Sequence, residues 1–211
     1  MAKVFVTVPN LHWIHKTVVH CLLKLQLDRR YPLRIEMPSN KPLENLQHHI
    51  VRDFLASDCT HWLTIDDENP PTRNPLDLVE LDKDIIGLPT PVWHYEGKPG
   101  ERPIYWNVYR WDGAAEAYRE WTVREGLQKV DAVGGGCMVI HRRVFEHPQM
   151  QRAPFARRTD EFGRVDRGND LSFCERARAA GFEVYAHFGY PCDHMVEVSL
   201  NECARAINGL T

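Results

Sequence analysis

The sequence predicts a single α/β domain with a mainly parallel central sheet flanked by helices, and three observations carry that prediction. Short β-branched and apolar runs alternate with helical stretches through the first half of the chain, the order that crossover connections between parallel strands require. The first run, residues 3–8 (KVFVTV), has the composition of a strand buried in a sheet. The length, 211 residues with 43% hydrophobic side chains, suits one domain with a substantial core.

Each element follows from a local pattern. Pro9 and Asn10 stop the first strand, and Ile14, Val18, Leu22 and Leu25 then recur at helical spacing. Residues 33–37 (LRIEM) read as a second strand, closed by Pro38. Leu43, Leu46, Ile50 and Phe54 repeat along one helical face, and Pro42 is tolerated near that helix start, where its missing N–H has no partner to lose. Residues 61–65 (HWLTI) form a third strand that runs directly into DDENPP. A short helix over residues 75–81 and a strand over 84–88 (DIIGL) complete the first half.

Residues 90–130 are rich in Trp, Tyr, Pro and Gly with weak periodicity, and read as a hairpin or a long functional loop. A strand over 136–141 (GCMVIH) is introduced by three glycines, and the polar, Arg-rich stretch 148–168 reads as a mobile loop. Residues 169–180 predict a helix with Gly181 just beyond its end, where a left-handed residue is usual. Residues 183–188 predict the last strand, and 196–207 a C-terminal helix.

Composition narrows the function classes. The formal net charge is −3, so the whole molecule is not a cationic polyanion binder. Seven arginines crowd residues 142–167 and form a local basic surplus, which is commonly a solvated face. No apolar run is long enough to span a bilayer, and the N-terminus enters a strand at once, so the expected location is cytoplasmic. The six cysteines form no C-x-x-C pair and are expected reduced and packed; a zinc site from Cys192, His194 and Cys203 lacks a second tight ligand pair.

Three features carry chemistry. Asp66, Asp67 and Glu68 stand side by side at the C-terminal end of a predicted parallel strand, the sheet edge where ligands bind. Adjacent carboxylates repel unless a cation compensates, and a hard divalent ion with oxygen ligands does so while also holding a diphosphate. An acidic turn before two prolines is the plainer alternative. Asp170 opens a helix whose N-terminal field favours a carboxylate; it is either a capping residue or a general base at a pocket mouth. Asp193 and His194 follow the last strand, where the imidazole can act as a ligand for transition metals.

Taken together, VFVTVPN, LTIDDENPP, VGGGCMVIHRRVFE, GNDLSFCERARAAGFEVYA and the late histidine in CDHM resemble, in order and over nearly the whole chain, the GT-A glycosyltransferases, especially compact relatives of glycosyltransferase family 2. The resemblance implies a Rossmann-like GT-A domain, with residues 1–90 as the nucleotide-binding half and 91–211 as the acceptor-binding and catalytic half. It implies Mn2+ or Mg2+ held by Glu68, His194 and Asp66, with Glu68 replacing the usual second aspartate of the D-x-D motif. Thr7, Val8, Pro9, Asn40, Asp66 and Asp67 would contact a nucleotide-sugar donor such as UDP-glucose. Asp170 inherits the inverting base, beside Asn169 in place of the common acid, while Gly135, Gly136 and Asn169 border the sugar and acceptor.

Compact enzymes of this kind resemble those of bacteriophages, some of which glycosylate hydroxymethylated bases in DNA. The arginines between 142 and 167 and the aromatics Trp93, Trp106, Trp111 and Trp121 are candidates for contacts to a DNA backbone and an extruded base. A protein or glycan hydroxyl is the other acceptor class. A nucleotidyltransferase, which pairs a nucleotide with acidic metal ligands, would show a Gly-rich loop after the first strand, where this chain has PNLHWIHK. A non-catalytic nucleotide-binding module would need no base at Asp170.

Overall fold

A computed structural model describes residues 1–39, 42–93, 104–201, 203 and 205. In chain order the elements are β1 (Val4–Thr7), α1 (Lys16–Leu27), β2 (Leu33–Glu36), α2 (Leu43–Ala56) and β3 (His61–Ile65), then a 3-10 helix (Pro75–Leu81) and β4 (Ile85–Gly87). The middle holds β5 (Pro91–Trp93), β6 (Ile104–Trp106), β7 (Val108–Asp112), β8 (Ala117–Glu120), β9 (Leu127–Val130) and β10 (Ala132–Val133). The last third holds β11 (Cys137–His141), α3 (Arg142–Glu146), α4 (Pro148–Gln151), β12 (Arg158–Thr159), β13 (Val165–Arg167), α5 (Asn169–Ala179) and β14 (Val184–His187).

Seven strands form the central sheet in the order β2-β1-β3-β11-β4-β14-β9. β2, β1 and β3 pair in parallel, as do β4 and β14, while β11 and β9 run antiparallel to their neighbours. The expected α/β fold with a mainly parallel sheet is therefore the one observed. Both faces are covered. Val4, Val6 and Val8 point with Leu63, Ile65 and Val139 toward Val18, Leu22 and Leu25 of α1. Phe5, Trp62, Met138 and Ile140 point the other way, toward Ile50 and Phe54 of α2 and Phe173 of α5. The period of two along each strand assigns successive side chains to opposite layers.

Two stretches carry more regular structure than the sequence suggests. In the middle region β7 and β8 make an antiparallel hairpin, extended by β10 on the other side of β7, and β5 pairs with β6. The segment expected as a mobile loop over 148–168 instead holds α4 and the β12–β13 hairpin. Its arginines form ion pairs there: Arg158 pairs with Asp166 and Glu175, Arg164 with Asp160, and Arg167 with Asp166 and Glu175. Gly181 takes a φ of +92° beyond α5, as its position after the helix predicts. Over the C-terminal stretch, residues 196–199 are irregular and Leu200 and Asn201 are helical. No described helix is long and apolar enough to cross a membrane.

Candidate active site

The parallel strands deliver their C-terminal ends to one sheet edge. β3 ends at Ile65, so Asp66, Asp67 and Glu68 start beyond that edge, and the antiparallel β11 begins there, with Cys137 opposite Ile65. The Asp66 N–H donates to the Gly136 carbonyl at 2.8 Å, which ties the acidic turn to the glycine run. Gly134 and Gly136 are required by close approach: a Cβ at Gly134 would lie 2.4 Å from Asn107 Nδ2, and one at Gly136 would lie 2.9 Å from Thr90 Oγ1. Asn107 in turn accepts from the Thr90 N–H through Oδ1 at 2.8 Å, locking the cavity floor.

Two cavities adjoin on the acids. One, of about 670 Å³, is walled by Pro9, Asn10, Leu11, Pro42, Leu43 and Leu46, with Asp66, Asp67 and Glu68 on one side. The other, of about 220 Å³, shares Asp66 and Glu68 and adds His194, Asp170, Tyr109 and the glycine run. The apolar wall of the larger cavity comes from the β1–α1 connection and the start of α2. Its residues Asn10, Leu11, Leu43 and Leu46 were not singled out from the sequence as site residues.

A strap from the end of the chain closes the site. The Cys192 N–H donates to the Pro89 carbonyl, Asp193 N–H to the Pro70 carbonyl, and Met195 N–H to the Glu68 carbonyl. Asn69 Nδ2 donates to the Asp193 carbonyl at 3.4 Å. Held this way, His194 Nε2 stands 3.2 Å from Glu68 Oε1, and its Nδ1 stands 2.7 Å from the Pro91 carbonyl. A carbonyl oxygen only accepts, so Nδ1 carries the proton, and in the neutral ring the Nε2 lone pair faces a carboxylate oxygen. Two acceptors so placed need a proton or a cation between them.

Asp170 lies in the first turn of α5. Its Oδ1 accepts from the Leu171 N–H at 2.8 Å and its Oδ2 from the Gly135 N–H at 3.2 Å. Burial raises its pKa above the ordinary carboxylate value, although those backbone donors pull the other way. Burial also pushes Asp66 well above the usual range, with the charges of Asp67, Asp170 and Glu68 adding to the shift. Asp67 is raised by burial and by Glu68. Among the described residues no lysine or arginine pairs with any of these four acids; the one basic partner is His194 on Glu68.

The remaining residues singled out from the sequence separate into those at the site and those away from it. Pro9, Gly135 and Gly136 line the cavities. Thr7 does not: it is 0% exposed, and its Oγ1 accepts from the Trp62 indole at 2.8 Å. Val8 is buried in the core on the α1 face. The Asn169 amide donates to Gln47 Oε1 at 3.0 Å and joins α5 to α2. Asn40 lies outside the described residues.

No three described His, Cys, Asp or Glu side chains gather closely enough to hold a metal ion by themselves. Glu68 and His194 nevertheless fit as a pair. Adjacent ligands about 2.1 Å from an octahedral ion sit about 3 Å apart, and Mg2+-type sites usually combine one or two protein carboxylates with substrate phosphates and water. Cys137 and Cys192 are buried, and all six cysteines are free.

Six of the seven arginines in residues 142–167 have partners within the fold, and the seventh, Arg152, is exposed. Arg142 donates to the carbonyls of Phe54, Leu55, Ser57 and Cys59, and Arg143 binds Asp82 and Asp84. Arg157 pairs with Glu44. Arg167 also stacks over Trp111 and Tyr118, at 5.1 and 5.5 Å. Trp111 is thereby engaged within the fold.

No family model matches the chain, and no curated protein matches it. Its fold is similar to solved structures. The crystal structure of A197 from STIV aligns with a TM-score of 0.60 at 14% identity, covering 92% of this chain and 86% of that one. GalNAc-T7, solved with UDP, GalNAc and Mn2+, aligns with a TM-score of 0.59 at 11% identity over 93% of this chain. This chain spans 44% of the GalNAc-T7 chain. A 4-diphosphocytidyl-2C-methyl-D-erythritol synthase from Anaerococcus prevotii aligns with a TM-score of 0.46 at 9% identity, covering 99% and 97% of the two chains. At these identities the likeness to A197 and GalNAc-T7 shows the fold alone, a GT-A-like α/β domain.

Proposed function

We propose that the chain is a metal-dependent glycosyltransferase that moves a sugar from a nucleoside diphosphate to an acceptor hydroxyl. One observation carries this reading. Asp66, Asp67, Glu68 and Asp170 surround two adjoining cavities without a lysine or arginine partner among the described residues, and Glu68 turns an oxygen toward the Nε2 of His194. Such a cluster suits a ligand that brings its own divalent cation. The fold, shared with a protein solved with UDP, GalNAc and Mn2+, supports the same donor class.

In this reading the larger, apolar-walled cavity takes the nucleoside, with Asp66 and Asp67 facing its polar part. Residues 1–90 supply that half, and 91–211 the catalytic and acceptor half. Glu68 and His194 hold Mn2+ or Mg2+. When bound, the ion neutralises the diphosphate leaving group as a Lewis acid. Asp170, held by two backbone N–H groups, receives the acceptor proton, and its raised pKa brings it nearer the range in which a general base works. Attack on the face opposite the leaving group inverts the anomeric carbon.

For the acceptor we favour a protein or glycan hydroxyl over hydroxymethylcytosine in DNA. Backbone binding by DNA needs cations free to replace counterions, and six of the seven arginines between 142 and 167 are paired within the fold, Arg152 being the exception among the described residues.

The test is incubation with a panel of nucleotide sugars and Mn2+. Release of nucleoside diphosphate supports the reading. Release of pyrophosphate in a parallel arm with nucleoside triphosphates and sugar 1-phosphates would assign nucleotidyl transfer instead, and no turnover with binding intact would leave a binding module. Parallel acceptor arms with hydroxymethylcytosine DNA, unmodified DNA, peptides and glycans identify the hydroxyl.

A further inference from the structure

Tyr109 lines the same cavity as Asp170, Glu68 and His194, and the chemistry above makes no use of it. Its backbone is fixed on both sides, opposite Glu120 in β8 and Ala132 in β10. The Asp131 N–H donates to its carbonyl at 3.0 Å, and its ring meets Tyr118 edge-on at 6.1 Å. The phenol is thus delivered to the cavity on a rigid strand. Burial and the carboxylates of Asp170 and Glu120 push its pKa up to about 12. It is therefore protonated at any physiological pH and available as a donor.

Asp170, by contrast, already has one N–H on each oxygen and is left as an acceptor. A rigid donor and a rigid acceptor thus share one small cavity. We propose that Tyr109 positions the acceptor hydroxyl, its O–H donating to the acceptor oxygen while the Asp170 carboxylate receives the acceptor's proton. The inference rests on the glycosyl-transfer reading and adds a selection rule to it.

The step balances as follows. The acceptor oxygen forms a bond to the anomeric carbon with one lone pair, and the bond from that carbon to the diphosphate oxygen breaks, taking its electrons to the leaving group. The acceptor proton passes to Asp170, and the second oxygen lone pair accepts from Tyr109. A hydroxyl supplies one hydrogen and two lone pairs and meets every requirement. A neutral amine has a single lone pair, which the new bond consumes, so Tyr109 is left without an acceptor. The site therefore selects oxygen over nitrogen nucleophiles.

The experiment compares wild type with Tyr109→Phe, which removes only the hydroxyl. UDP-glucose and the other nucleotide sugars are the donors; glycerol and 2,2,2-trifluoroethylamine, which is mostly uncharged at neutral pH and carries no oxygen, are the probe nucleophiles. Wild type should prefer glycerol. The variant should keep its melting temperature and donor KM but lose about 100-fold in kcat with glycerol, the scale of a reactant misplaced by about 1 Å. Its rate with 2,2,2-trifluoroethylamine should not change. A variant that uses glycerol at the wild-type rate overturns the role of Tyr109 and leaves glycosyl transfer standing. A wild type that releases no nucleoside diphosphate from any donor overturns both.

Discussion

His194 Nε2 faces Glu68 Oε1 across 3.2 Å, while the opposite ring nitrogen is committed to the Pro91 carbonyl. The imidazole therefore cannot turn its lone pair elsewhere without losing a hydrogen bond. A metal held here is held by a preset pair. His194→Ala and Glu68→Ala should each weaken Mn2+ binding by more than the about 10–100-fold that outer-shell partners cost. Titration calorimetry with Mn2+ and the nucleoside diphosphate measures this, and unchanged affinity in both variants would remove the pair as ligands.

Asp170→Asn keeps the size and the helix-start position of the side chain but cannot take a proton. Turnover should fall by about 10²–10⁴-fold. The thermal stabilisation given by a nucleotide sugar, which reports binding to the native state, should persist. Near-normal turnover would take Asp170 out of the mechanism.

The pH dependence of stability follows from Asp66. Its folded pKa lies well above the unfolded value of 3.8, so the native state binds the proton more tightly. Its contribution is fully present below about pH 3.8 and is lost as pH rises through the folded pKa. Asp66→Asn, which never ionises, should therefore be more stable than wild type at pH 7, with the advantage shrinking as pH falls toward 4. Urea unfolding at the two pH values checks it; equal advantages at both would show that repulsion and burial do not act on this carboxyl.

Thr7→Val should separate packing from binding. The substitution leaves the buried Trp62 N–H without its acceptor, at a cost of about 1–3 kcal/mol. Donor KM should stay at the wild-type value, because Thr7 touches neither cavity. A raised KM with unchanged stability would return Thr7 to the donor site.

Gly134→Ala should damage the site from its floor. The new methyl would sit 2.4 Å from Asn107 Nδ2 and 2.8 Å from Asn107 Cβ, so it cannot be absorbed by a flexible tip. The expected loss is about 1–3 kcal/mol, as for overpacking elsewhere, together with lower turnover because Asn107 anchors Thr90. Chemical denaturation and initial rates on the same preparation report the two effects.

The sequence made the frame legible where one side-chain pattern had one physical solution. Val4, Val6 and Val8 alternating with Phe5 could only be a two-faced strand, and the face of α1 was readable from Val18, Leu22 and Leu25. Acids after an apolar strand pointed to the ligand edge for the same reason. Less legible was anything decided by distant partners. Thr7 reads as a pocket residue until Trp62, far along the chain, is found to claim its hydroxyl. The hairpin of β12 and β13 is short and largely exposed, so it has no apolar period; an exposed ion pair, Arg158 with Asp166, links its two strands. Leu43 and Leu46 carried a helical signal that hid their second use as a cavity wall.

The strap over residues 191–195 has a consequence for how the molecule comes into being. Glu68 and His194 are 126 positions apart, so their meeting closes one of the longest loops in the chain, and a vectorially synthesised protein exposes the acids well before the imidazole arrives. Until then the acidic turn is a site of net repulsion that nothing completes. Competence for the cation is thus gained late, and it doubles as a report that the last strand has docked.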